Sequence, residues 1–191
     1  NATKPIHVPD DMKGLKWRTT KSPVEFMLVK NWGAVPTPYD WSQLYSGLQS
    51  GVVEGQYVAS PWQEVAKLHE VAKYFTEIGG MWSGNILAMD AKQYNALSSE
   101  ERKWLHEAAD AYGEKVNQLD NAWIKNGEDI IKASATEWYV PSEAELSKWR
   151  EGAIGAWLDA KGTFEPDVAR RVLQEQGMDG FVAQLEKAGA L

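Results

Sequence analysis

The chain has 191 residues, 43% of them hydrophobic and 25% charged, enough for one sizeable domain with a core of its own. A formal net charge of −7 with no offsetting Lys/Arg block argues against nucleic-acid binding, and no apolar run reaches the length of a membrane span. The absence of cysteine excludes disulfides and thiolate metal sites.

In chain order, the sequence opens on Asn1 without a signal-peptide pattern, as a processed or partial chain does. Leu15 and Trp17 alternate with Lys16 and Arg18, as in a half-buried strand. "SPVE" at 22–25 is a capping box with proline at the first helical position. Phe26, Val29 and Trp32 continue at helical spacing and Gly33 stops the helix. "GAVPTP" is a short extended piece, and "DWSQ" at 40–43 caps a helix with Leu44 and Leu48 inward. "GVVEGQYVA" reads as a turn and a strand. "SPWQ" at 60–63 opens a helix whose apolar stripe is Val65, Leu68, Ala72 and Phe75. Strands alternating with helices through short loops predict an α/β fold, with a mainly parallel sheet flanked by helices. Ligands collect beyond the carboxyl ends of the strands in such sheets, and each helix start adds a partial positive charge. Arg18, the "PTPYDW" loop and "GQYVAS" all fall at those strand-to-helix junctions.

Further along, "NILAMD" at 85–90 is a compact apolar strand and "DAKQ" caps a short helix. "SSEE" at 98–101 caps a very long one, in which Trp104, Leu105, Ala108, Tyr112, Val116, Leu119, Trp123, Ile130 and Ile131 keep the helical period to about Ser134. Such a helix spans roughly 50 Å and is expected to bend or to bridge two lobes, with Gly113 and Gly127 as weak points. "TEWYVP" is a strand, "SEAE" at 142–145 starts a helix running to about Ala160, and further helices begin at "EPDVARR" and "GMDGF".

Signals for catalysis are poor. His7, His69 and His106 lie far apart, there is no phosphate-binding glycine loop, and no carboxylates pair as acid and base. Arg150, Arg170 and Arg171 sit on amphipathic helices and read as surface charges. Most of the ten tryptophans are expected to be packing residues, with one or two free to line a cleft.

Three stretches carry more. "GLKWRTT", "NWGAVPTPYDWSQLYSGLQSGVVEGQ" and "KLHEVAKYFT" resemble, in order and spacing, the DctP-type solute-binding proteins of tripartite ATP-independent periplasmic (TRAP) transporters. The likeness is strongest over 9–90 and looser to the C-terminus. It implies a periplasmic, non-enzymatic binding protein of two α/β lobes without a cofactor, which delivers a small organic acid to membrane transporter subunits. By that resemblance Arg18 clamps the ligand carboxylate and Trp41 lies against the ligand. Thr20, Gln56, Tyr57, Val58 and Trp82 join the candidate ligand-binding set. Val58 stands where some sialic-acid-binding members carry asparagine, which argues against sialic acid. The alternatives are a sugar or lactone receptor of the same fold and, from another class, a hydrolase or isomerase. The family's topology divides the chain into a ligand-binding lobe (1–84), a stretch belonging to the other lobe (85–123) and the remainder of the long helix with the C-terminal helices (124–191). Apolar faces left uncovered on 85–123 are expected to drive self-association or element exchange.

Overall fold

The computed structural model describes residues 1–80 and 86–191. Its centre is a parallel sheet of β1 (Lys16–Thr19), β2 (Val35–Pro38) and β3 (Gly55–Gln56), in the order β2-β1-β3. A second parallel pair joins β4 (Tyr74–Thr76) to β5 (Glu137–Tyr139). Ala2 bridges antiparallel to both Gly55 and Tyr74, so the N-terminal residues stitch the two pieces together. The α/β lobe with a parallel sheet expected from the sequence is the architecture observed.

The helices form where their caps and stripes place them. α1 (Pro23–Asn31) has Ser22 as its N-cap, accepting from the Glu25 N–H, and Pro23 at its first position. α2 (Leu44–Gln49) follows a 3₁₀ turn (Trp41–Gln43) capped by Asp40. Beyond α3 (Ser60–Val65) come α4 (Ala91–Ala96), α5 (Ser99–Ser134), α6 (Glu143–Asp159), α7 (Pro166–Glu175) and α8 (Asp179–Ala188). One core cluster joins Leu15 and Trp17 of the β1 region to Val29 and Trp32 at α1 and Trp149 on α6. A second holds Leu44, Leu48, Val53, Leu68 and Ala72. The C-terminal helices close on their own cluster of Leu173, Phe181, Val182 and Leu185. Gly55 is required by close approach: a Cβ there would run into the Trp17 ring, with which it is in register.

Two expectations need correction. The stripe Val65–Leu68–Ala72–Phe75 is not one helix. α3 ends at Val65, Lys67 takes a left-handed conformation (φ 55°), Leu68–Glu70 is a 3₁₀ turn, and Phe75 lies in β4, stacked 5.9 Å from Trp138 of β5. Burial in the second cluster keeps Leu68 and Ala72 inward, while pairing with β5 draws Phe75 into the sheet, so apolar spacing alone is ambiguous here. The strand expected at 85–90 is absent over 86–90, where the chain is irregular and exposed, and residue 85 lies outside the described residues. A strand needs a paired neighbour, and none reaches this stretch among the described residues.

α5 is continuous for 36 residues, about 54 Å. Gly127 does not break it. A Cβ at that position would stand 3.1 Å from Pro61 Cα, so the glycine lets α5 approach the start of α3.

Candidate functional site

Arg18 sits near the carboxyl end of the central strand, between Thr37 of β2 and Gln56 of β3. The residue is only 5% exposed. The Tyr39 N–H, donating to Thr19 O (3.1 Å), ties the Tyr39 backbone to the end of β1, and Tyr39 O accepts from Arg18 Nε (3.2 Å). Among the described residues this is the one protein hydrogen bond of the guanidinium, and no carboxylate lies at ion-pair distance. Burial pulls the guanidinium pKa below its ordinary value, against the attraction of Glu25 and Asp40, and an arginine stays charged there.

The loop after β2 brings an aromatic to that cation. Asp40 Oδ1 accepts from the Ser42 N–H (2.8 Å) and from Ser42 Oγ (2.6 Å), which fixes the turn carrying Trp41. Those bonds hold the Asp40 carboxyl below the usual carboxylate range. The Arg18 guanidinium carbon lies 5.7 Å from the centroid of the Trp41 ring, within cation–π range. Trp41 meets Trp62 of α3 edge to face at 6.5 Å, and Trp62 meets Trp123 of α5 at 5.2 Å. Trp41 (38% exposed) and Trp62 (46%) remain open to solvent. A buried cation thus begins an aromatic strip running across three elements. A planar guanidinium of this kind makes two parallel bonds to a carboxylate, and an exposed indole face takes the flat or weakly hydrated part of a solute.

The structure brings Arg18 and Trp41 together and sets the other sequence candidates apart. Thr20 donates from both its N–H (2.7 Å) and its Oγ1 (2.5 Å) to Glu25, so its hydroxyl serves the start of α1. Gln56 is fully buried; its Nε2 donates to Asn1 Oδ1 (2.9 Å). Tyr57 packs its ring edge-on to Trp32 and turns its hydroxyl toward Gly80, and burial pushes its pKa up. Gln56 and Tyr57 line a small, partly open cavity that Arg18 does not line. Val58 O accepts from Gln63 Nε2 (2.7 Å), which ties the β3–α3 junction. Trp82 lies outside the described residues. Among the described residues no cluster of His, Asp or Glu forms a metal site.

Sequence reasoning missed Trp62 and Trp123. Trp62 was reachable, since "SPW" opens a helix directly after a strand, at the same kind of junction as Trp41. Trp123 carried no such signal, because it continues a stripe that reads as packing.

Over residues 1–162 the chain matches the family described as bacterial extracellular solute-binding protein, family 7 (DctP). The chain belongs to that family. Among family 7 relatives, the ectoine-binding periplasmic protein TeaA of Halomonas elongata is 31% identical over 97% of this chain and 53% of its own length. The C4-dicarboxylate-binding periplasmic protein DctP of Rhodobacter capsulatus is 27% identical over 79% of this chain and 46% of its own. A solved structure of the H. elongata periplasmic ectoine-binding protein superposes with a TM-score of 0.76 at 26% identity, covering 97% of this chain and 60% of that one. The chain spans about half the length of the curated relatives it matches. No described helix is long and apolar enough to cross a membrane.

Proposed function

We propose that this chain supplies the Arg18-centred face of an extracytoplasmic solute-binding protein, one that holds a small carboxylate-bearing organic solute for a TRAP-type transporter and performs no chemistry on it. The observation that carries the reading is the buried Arg18 guanidinium, held through Nε by Tyr39 O and placed against Trp41 with no acid paired to it among the described residues. Family membership and the ligands named for its relatives, ectoine and C4-dicarboxylates, support the same class of solute. In this reading the periplasm is the compartment, residues 1–84 and 124–191 form the ligand-bearing lobe, and 85–123 belong to the other lobe.

The energetics set the division of labour. Two charge-assisted bonds contribute about 1.5–3 kcal/mol each, and micromolar binding needs about 8 kcal/mol. The tryptophan strip and a second surface closing over the solute supply the remainder. Calorimetric titration with ectoine, succinate and a uronate tests the proposal. Arg18→Ala is expected to weaken binding of the preferred acid about 100-fold or more, and Trp41→Ala about tenfold. Unchanged affinity in Arg18→Ala would sink the carboxylate reading. Binding of neutral sugars alone, lost in Trp41→Ala, would move the assignment to a sugar or lactone receptor, and turnover of a bound solute would make the protein an enzyme.

The same reading extends to association. Ile86, Leu87, Met89, Trp104 and Leu119 are exposed along 86–119, and a face of this kind is expected to drive self-association, exchange of elements or pairing with a separate N-terminal fragment. A compact monomer by sedimentation in dilute solution would count against it.

A further inference from the structure

Beside β3 and the N-terminal residues, lined by neither Arg18 nor Trp41, lies a partly open cavity of about 40 Å³. Its apolar wall includes Ile6, Met12, Trp32 and Trp149. Three of its lining side chains present polar atoms that are buried and have no hydrogen-bond partner among the described residues: Trp17 Nε1, Tyr57 Oη and Gln56 Oε1. Trp17 is 5% exposed and Gln56 fully buried, so bulk solvent does not serve them. The orientation of the Gln56 amide is settled by its other end, where Nε2 donates to Asn1 Oδ1. Trp17 is held in place by its ring lying over Gly55.

Buried polar groups are almost always satisfied, because an unpaired donor or acceptor in an apolar interior forfeits its bonds to water without replacement. The three atoms here are complementary to water and not to one another's surroundings. The indole offers a donor only, the amide oxygen an acceptor only, and the phenol either. A water needs about 10–15 Å³ of such space and between two and four polar partners. The cavity therefore has room for water, and its three unpaired polar atoms supply the partners that one bridging water needs.

We propose that this cavity is a hydration site of the fold, in which ordered water accepts from Trp17 Nε1, donates to Gln56 Oε1 and is bridged to Tyr57 Oη. It links β1 to the end of β3 through solvent, in the interval where β3 has only two ladder residues, Gly55 and Gln56. The burial that pushes the Tyr57 pKa upward agrees with a neutral hydroxyl available for such a bridge.

Water–protein NOE spectra on the intact chain test it directly. A cross-peak of the sign given by long-lived water is expected at the assigned Trp17 indole N–H. An indole N–H with no such cross-peak would overturn the proposal, as would a high-resolution crystal structure in which a protein atom closes onto Trp17 Nε1. Tyr57→Phe keeps the ring against Trp32 and is expected to reduce the Trp17 cross-peak. An undiminished peak in that folded variant would remove Tyr57 from the bridge and refute the arrangement.

Discussion

The two ends of α5 are made from one apolar stripe and meet different fates. At the C-terminal end Ile131 is fully buried and Gly127 packs against Pro61. From Trp104 near the N-terminal end to Leu119 just past the middle, the stripe is more than half exposed at both of those residues, and nothing lies within 4 Å of a Cβ built at Gly113. The helical period runs through both ends. The comparison teaches that a stripe records a capacity to be buried, while burial itself requires a surface, and the described residues provide one only at the end that reaches α3.

The largest expected effect falls at the seated end. Ile131→Ala deletes buried methyl groups and should cost about 2–5 kcal/mol in urea unfolding. A cost below about 1 kcal/mol would mean that this end is no better packed than the other. Gly127→Ala comes next: the added Cβ would stand 3.1 Å from Pro61 Cα, in backbone that gives little, and this crowding is expected to outweigh the helix-propensity gain for a net loss of about 0.5–2 kcal/mol. The same change at the open end has the opposite sign. Gly113→Ala meets open space and removes a flexible residue from a helix interior, so a gain of about 0.5–1 kcal/mol is expected. Leu119→Ala at 56% exposure should lie within about 0.5 kcal/mol of the parent in the monomer. A larger loss, or one that depends on protein concentration, would show that the open face is covered in solution.

A finer comparison concerns two capping boxes of the same S-x-x-E form. Glu101 at the start of α5 accepts from the Ser98 N–H, and its pKa is lowered by Ser98. Glu145 at the start of α6 accepts from Ser142 N–H and Oγ and, in addition, from the Tyr139 hydroxyl of β5 at 2.6 Å. Those bonds pull its pKa down to about 2, the Tyr139 bond first. A carboxyl depressed by folding contributes stability above its unfolded pKa of 4.5, which is lost as pH falls through about 2. Tyr139→Phe is therefore expected to flatten the loss of stability between about pH 4.5 and 2, read as urea midpoints across that window. An unchanged slope would place the depression in the capping box alone.

Much of the fold was legible because its signals are local. Ser22, Asp40, Ser98 and Ser142 announce helix starts through atoms a few residues away, and α1, α5 and α6 begin where those caps stand. Arg18 was legible for a related reason, since a cation at the end of a strand just before a cap is a positional oddity. Gln56 and Tyr57 were not, because their placement is decided by partners far off in the chain, Asn1 for the amide and Trp32 for the ring. β4 was missed because "KYFT" extends an apolar spacing that also suits a helix, and the distant partner β5 decides between them.

The sequence by itself determined where helices start, that the chain is α/β, and which arginine stands at the end of the central strand. Hydrogen bonds and sterics within a few residues are enough for that. Only the tertiary structure decided that Trp62 and Trp123 extend the aromatic strip from Trp41, that Gln56 and Tyr57 line a cavity apart from Arg18, and that one end of α5 is buried while the other is not. Those outcomes depend on contacts between residues far apart in the chain, and burial is a property of the pair, which neither residue encodes alone.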